Sequence, residues 1–270
     1  MLDHLYRLVD PRNWEFQMWA EQVYTDQMLA QAEALPLRRD VVTLLTFVNE
    51  HKVVGTRSTG NMPLKLIRQL APLFVVPPEL DDRIGERIYP LKSEYDVWPL
   101  YFLHALAEVG GLVETLPGRL WRILPNGESF LETDCLDQTL HLLFTWWYQT
   151  NWLIAYPLAG LGEALPPAFE GITLRRLRAM PVGRRIRFEP FADQLIRRAG
   201  LTWSAPQSTV AQDLLRSGIR KMVIQVAADF GIVELAVKER APGLVPRLVA
   251  FEVTAFGRLL LTALDLLGTA

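Results

Sequence analysis

The chain has 270 residues, half of them hydrophobic and 21% charged, with a net charge of −2. The apolar fraction excludes a disordered chain, and 17 Gly and 18 Pro without a period exclude collagen. One cysteine, Cys135, excludes an internal disulfide framework, and a charge near zero excludes a chain that coats nucleic acid all over.

The length fits one large domain or two of ordinary size. The start, Met1-Leu2-Asp3-His4-Leu5-Tyr6-Arg7, has an acid where a secretion signal needs a basic start, so a cytoplasmic location is expected. Residues 1–38 carry Trp14, Phe16, Met18, Trp19, Val23 and Met28 at loosely helical spacing, which predicts a helical N-terminal extension. Asp40 is expected to cap a helix buried through Val41, Leu44, Leu45 and Val48. Lys52 to Thr56 reads as a short strand by its β-branched content. Pro63 then opens a helix through Leu64, Ile67, Leu70 and Leu73, ended by Pro77-Pro78.

A polar loop is expected from Asp81 to about Glu94, followed by an apolar helix that Gly110-Gly111 stops. Leu112 to Glu114 and Leu120 to Ile123 read as two strands around the turn Pro117-Gly118, and Pro125-Asn126-Gly127 leads into another helix. Helix, strand, helix, helix and hairpin is the order of a winged helix, a variant of the helix-turn-helix.

The order recurs. Ala107 to Glu114 aligns with Ala227 to Glu234, and Gly127 to Leu131 aligns with Gly257 to Leu261, with ten more residues in the second hairpin. Upstream, Thr173 to Met180, Arg185 to Phe188, Pro190 to Ala199 and Thr209 to Phe230 supply the remaining elements. Any helix that ends in Gly before a hairpin offers a weaker version of this pattern, but six elements agree in order. The expected fold is mainly α (α+β), with two winged helices over residues 39–132 and 171–270. An aromatic-rich helical linker over 133–170 joins them.

Thr56-Arg57-Ser58-Thr59-Gly60-Asn61-Met62-Pro63, Ser93-Glu94 and Gly111-Leu112-Val113 resemble a group of uncharacterised bacterial tandem winged-helix proteins. The resemblance covers roughly residues 40–131 well and 172–265 loosely. It implies the fold, and no activity or site with it.

No catalytic assembly is expected. The chain has no Gly-x-x-x-x-Gly-Lys loop, no Gly-x-Gly-x-x-Gly after a strand and no Gly-x-Ser-x-Gly elbow. His104, between Leu103 and Leu106, reads as a structural histidine of a core helix. Asp137 and His141 share a helical face near Asp134 and Cys135, but two mixed ligands do not make a metal site. Acids at a solvated helix start explain Asp134 and Asp137 instead. No cofactor and no metal are expected. From Gln138 to Gly162 there is no Lys, Arg, Asp or Glu, yet Gln138, His141, Gln149, Asn151 and Pro157 favour a buried helix over a membrane span. Its aromatics, Phe144, Trp146, Trp147, Tyr148, Trp152 and Tyr156, are expected to pack, with a ligand or partner cleft as the alternative.

The net charge hides an asymmetry. Residues 1–170 hold 13 basic and 22 acidic residues, and residues 171–270 hold 15 basic and 8 acidic, giving −9 and +7. Eight arginines, at 175, 176, 178, 184, 185, 187, 197 and 198, crowd one stretch opposed only by Glu189 and Asp193. A winged helix places its third helix in the major groove and its wing beside the backbone. The first third-helix, Asp96 to Val109, has no Lys or Arg. The second offers Gln212, Arg216, Arg220 and Lys221, its wing offers Lys238, Arg240 and Arg247, and Arg197 and Arg198 lie upstream. These nine are the candidate contacts for double-stranded DNA in a regulator-like protein, where released counterions supply most of the affinity. Two alternatives stay open. The arginines form a solvated face or pair with the acidic half, and the winged helices have lost DNA and serve as a protein-interaction scaffold.

Overall fold

The computed structural model describes residues 18–19, 25–84, 87–155, 165–203, 210–239 and 246–268. The chain is mainly helical with small antiparallel sheets, and it divides into two units between Thr150 and Asn151. That division falls inside the stretch expected to be a linker. Among the described residues no helix is long and apolar enough to cross a membrane.

The first unit begins with α1 (Asp26–Ala34), capped by the Thr25 hydroxyl, which accepts from the Met28 N–H. Next is α2 (Pro36–Glu50), where Pro36 occupies the first turn. Asp40 is therefore not a cap. It lies one turn inside the helix, buried, and its carboxylate accepts from the Val75 N–H at 2.7 Å. Burial pushes its pKa up. The strand expected at Lys52 to Thr56 reduces to a bridge between Val54 and Leu120, framed by Trp121 N–H to Val53 O at 2.8 Å and Gly55 N–H to Arg119 O at 2.9 Å. The next helix, α3 (Leu64–Leu70), runs into a tighter turn at Ala71–Leu73. The polar loop expected after it contains an antiparallel pair, β1 (Asp81–Ile84) and β2 (Arg87–Pro90).

A one-turn helix at Glu94–Asp96, closed by a capping box between Ser93 and Asp96, leads into α4 (Trp98–Val109). Then follow β3 (Val113–Glu114), β4 (Arg122–Ile123), α5 (Pro125–Glu132) and α6 (Cys135–Phe144), the last continuing as a widened π turn over Thr145–Gln149. Asp134 caps α6 by accepting from the N–H groups of Leu136 and Asp137, whereas Asp137 is fully buried rather than solvated.

His104 sits in this core as a satisfied histidine. Its Nδ1 donates to Glu94 Oε1 at 2.6 Å, and its Nε2 meets the Thr115 hydroxyl at 3.0 Å. Thr115 donates to Glu108 at 2.7 Å, and the Trp121 ring lies against the imidazole at 4.3 Å. Glu94, wholly buried, also accepts from the Met62 N–H, and Trp121 Nε1 donates to Gly60 O at 2.9 Å. The Gly60 to Met62 segment and the Ser93-Glu94 pair thus meet at one buried polar cluster.

The second unit contains a short turn at Trp152–Ala155, α7 (Phe169–Arg178), β5 (Ile186–Arg187) and α8 (Phe188–Ala199). Its third helix is continuous, built from α9 (Ala211–Ile219), a π turn (Arg220–Gln225) and α10 (Val226–Asp229). Then come β6 (Val233–Lys238), β7 (Arg247–Val253) and α11 (Ala255–Gly268). Strand β7 is central, flanked by β5 and β6. Trp146, Trp147 and Trp152 are buried in their units as packing residues; Tyr156 lies outside the described residues.

Both units end their long helix in the same way. Leu112 N–H bonds Ala107 O at 2.8 Å, and Ile232 N–H bonds Ala227 O at 2.8 Å. Gly111 and Gly231 take φ values of 65° and 68°, which only glycine adopts without strain. Leu124 N–H then bonds Leu112 O, and Thr254 N–H bonds Ile232 O, each at 3.0 Å. A Cβ at Gly127 would overlap the Leu112 carbonyl, and one at Gly257 would overlap the Ile232 carbonyl.

Gly127→Ala and Gly257→Ala are each expected to lower unfolding stability by about 2 kcal/mol or more, because backbone must move to admit the methyl. Gly171→Ala, in α7 with only the Arg175 side chain near its added Cβ, is expected to gain about 0.5 kcal/mol. Urea titration of the three variants decides, and equal effects would refute the packing argument.

Candidate nucleic-acid interface

The third helix of the second unit buries Ala211, Leu215, Ile219, Met222, Val223 and Val226. That pattern leaves Gln212, Asp213, Lys221 and Gln225 exposed, with Arg216, Ser217 and Arg220 half-buried. Arg216, Ser217 and Arg220 from this helix meet Arg247 and Leu248 of β7 around a groove of about 450 Å³. Third helix and strand β7 therefore contribute cations to one face.

The groove is not uniformly positive. Arg216 grips Asp193 of α8 with both arms of its fork, Nε to Oδ1 at 2.7 Å and Nη2 to Oδ2 at 2.8 Å. It also reaches Asp213 at 3.4 Å. Hydrogen bonds from Arg216 hold the Asp193 carboxyl below its ordinary range. Gln212 donates to the same Asp193 oxygen at 2.7 Å, so both side chains join α8 to α9. Arg247 pairs with Glu189, which also lines the groove.

Arg220 lines the groove with no acid paired to it among the described residues. Lys221 is exposed beside it, and partial desolvation of its ammonium and the Arg220 charge lower its pKa. Lys238 is exposed at the end of β6 and faces Arg247 in the strand register, two like charges side by side. Arg197 and Arg198 are exposed in the last turn of α8 and do not line the groove. Arg240 lies outside the described residues. The structure thus gathers Arg216, Arg220 and Arg247, puts Lys238 next to them, and turns Gln212 toward Asp193.

The corresponding helix of the first unit, α4, buries one face and leaves Pro99, Glu108 and Val109 exposed, with Trp98, Tyr101 and Ala105 half-buried. It buries Leu100, Phe102, Leu103, His104, Leu106 and Ala107, and Phe102 packs edge-on against Trp146 at 5.2 Å. It carries no cation. Among the described residues no group of three or more His, Cys, Asp or Glu could hold a metal ion. No family model matches the chain, and no curated protein and no solved structure matches it.

Sequence reasoning named Asp193 and Glu189 as opposing charges but could not assign them partners. Their pairing depends on how α8 is rotated against α9 and β7, which no spacing within either element encodes.

Asp229 closes the third helix at its C-terminal end, where the helix dipole disfavours an acid. Enclosure of the carboxylate raises its pKa from 3.8 to about 6, and Gln225 donates to it at 3.0 Å. Below pH 3.8 the group is neutral in folded and unfolded chains alike and costs nothing. As pH rises through about 6 the folded chain must carry the enclosed charge, so stability is lost. Asp229→Asn is expected to stabilise the chain by about 2 kcal/mol at pH 8, and by little near pH 4. Denaturant titrations at both values check this, and a gain independent of pH contradicts it.

Proposed function

We propose that the two units are winged helices and that the second binds duplex DNA, as a transcription-regulator-like protein without a catalytic step. One observation carries the reading: Arg216, Arg220 and Arg247 converge on a single groove from the third helix and the wing strand. Those are the two elements that a winged helix applies to the major groove and the neighbouring backbone. The duplicated helix stop and hairpin support the architectural half of the proposal. Phosphate contact by Arg247 requires exchange of Glu189 for a phosphate oxygen. Both side chains are well exposed, so that exchange costs little. Arg220, Lys221 and Lys238 provide further charge at the rim.

Duplex retention should weaken steeply with salt, because neutralised phosphates release counterions. Arg220→Glu, which breaks no ion pair seen in the structure, is expected to lower affinity at least about tenfold and flatten the salt dependence. Fluorescence anisotropy with a labelled duplex at several salt concentrations measures both. Binding that ignores salt, or survives the reversal, sinks the proposal.

A second reading has its own observation. Val54 and Leu120, bridge partners beside the first wing, are exposed by 47% and 44%, and Leu116 in the same hairpin by 49%. With no Lys or Arg on α4, that wing suits an apolar protein contact, and a second copy of the chain is the partner to test. This reading expects concentration-dependent association in sedimentation equilibrium, abolished by Val54→Lys with Leu120→Lys. A chain that stays monomeric counts against it.

A further inference from the structure

The second unit neutralises some of its arginines and leaves others bare. Arg178 pairs with Asp265, Arg216 with Asp193 and Arg247 with Glu189, all acids of the same unit. Arg176, Arg184, Arg185 and Arg187 have no such partner among the described residues. They surround a cleft of about 400 Å³ between the end of α7, the turn after it and the start of α8. No acidic residue lines the cleft.

Arg176 shows how the charge is kept. It is half-buried and donates through Nη2 to the Gln194 side-chain oxygen. That partner is neutral, so it fixes the guanidinium without offsetting its charge. The Nε of Arg176 is enclosed and has no hydrogen-bond partner. Arg184, Arg185 and Arg187 are exposed around the same opening, and the buried side chains of Met180 and Phe191 make an apolar floor. The first turn of α8, a 12-residue helix, adds little, because Glu189 in that turn offsets its positive end.

Four guanidinium groups around one cavity repel one another, and an anion seated among them relieves that repulsion. A guanidinium fork matches two oxygens of a phosphate, and each phosphate monoester brings close to two negative charges at neutral pH. Four cations therefore suit two phosphate groups, and the volume suits a small molecule rather than a polymer. We propose that this cleft binds a small ligand bearing two phosphate groups, with a short apolar part against Met180 and Phe191. The cleft shares no lining residue with the groove of Arg216, Arg220 and Arg247, so the proposal does not rest on the DNA reading.

The test is calorimetric titration of the full chain with inorganic pyrophosphate at low and moderate salt. Saturable one-site binding that weakens with salt is expected. Arg184→Glu with Arg187→Glu should lower affinity at least about tenfold. Arg197→Glu with Arg198→Glu changes the charge equally at the other end of α8 and should alter affinity less than about twofold. All four positions are exposed, and circular dichroism verifies folding. Absence of saturable binding, or equal losses in the two variants, overturns the proposal. So does a loss of duplex retention in the Arg184/Arg187 variant beyond that of the Arg197/Arg198 variant, which would make the cleft a seat for DNA phosphates. Failure of Arg220→Glu to affect the duplex bears on the DNA reading alone and leaves the pyrophosphate result standing.

Discussion

Each unit turns on a close backbone approach beneath the end of its long helix. Gly111 and Gly231 reverse the chain in a left-handed conformation, so that Leu112 and Ile232 leave the helix pointing into the core. Their carbonyl oxygens then accept from Leu124 and Thr254 after the hairpin, and Gly127 and Gly257 lie against those same carbonyls with no room for a methyl. Three consequences follow from this one contact. The hairpin is pinned at its base, the next helix starts in a fixed place, and the hairpin tip is free to differ in length. Ten extra residues in the second hairpin leave the base hydrogen bonds at the same lengths as in the first.

Above that shared base the two units spend their polar residues differently. In the first, the buried Glu94, His104 and Thr115 form a hydrogen-bonded chain that reaches out to the exposed Glu108, roofed by Trp121. Removing one member of such a cluster strands the others without water, which makes the cluster a constraint on the core and not a reactive centre. Its helix packs Phe102 against Trp146 and carries no Lys or Arg to meet a phosphate. In the second unit the arginine–carboxylate ion pairs lie outside the core, as forks and pairs between exposed or half-buried side chains.

Much of this was legible in the sequence. Gly111, Gly231, Pro63 and Pro125 mark helix ends and starts by conformational rules that act within a few residues, and the helices bounded by them lie where their apolar spacing puts them. The failures share a cause. Asp40 reads as a cap because it precedes an apolar run, but Pro36 has already started the helix, and the acid's partner is the backbone of Val75, 35 positions away. Asp81 to Pro90 lacks the alternation of a strand, and Asp81–Ile84 still pairs with Arg87–Pro90. The fork of Arg216 on Asp193 spans 23 positions and two helices. Local rules see one element at a time, and each of these features belongs to two.

The same distinction orders the cations of the second unit as DNA contacts under the proposed function. Arg216 makes two short hydrogen bonds to one carboxylate and is half-buried, so releasing it would leave Asp193 with its negative charge beside any approaching phosphate. Its role is then to hold α9 against α8 and present the helix, not to touch the backbone. Arg247 is more exposed and tied by a single arm, so a phosphate competes with Glu189 on nearly equal terms. Arg220 has neither tie, and it occupies the groove between them. Charge pattern alone ranks Arg216 and Arg220 together, because they are four apart on one face. Geometry separates them into a strut and a contact, and it is Arg220 whose reversal reports on DNA without first loosening the helix that carries it.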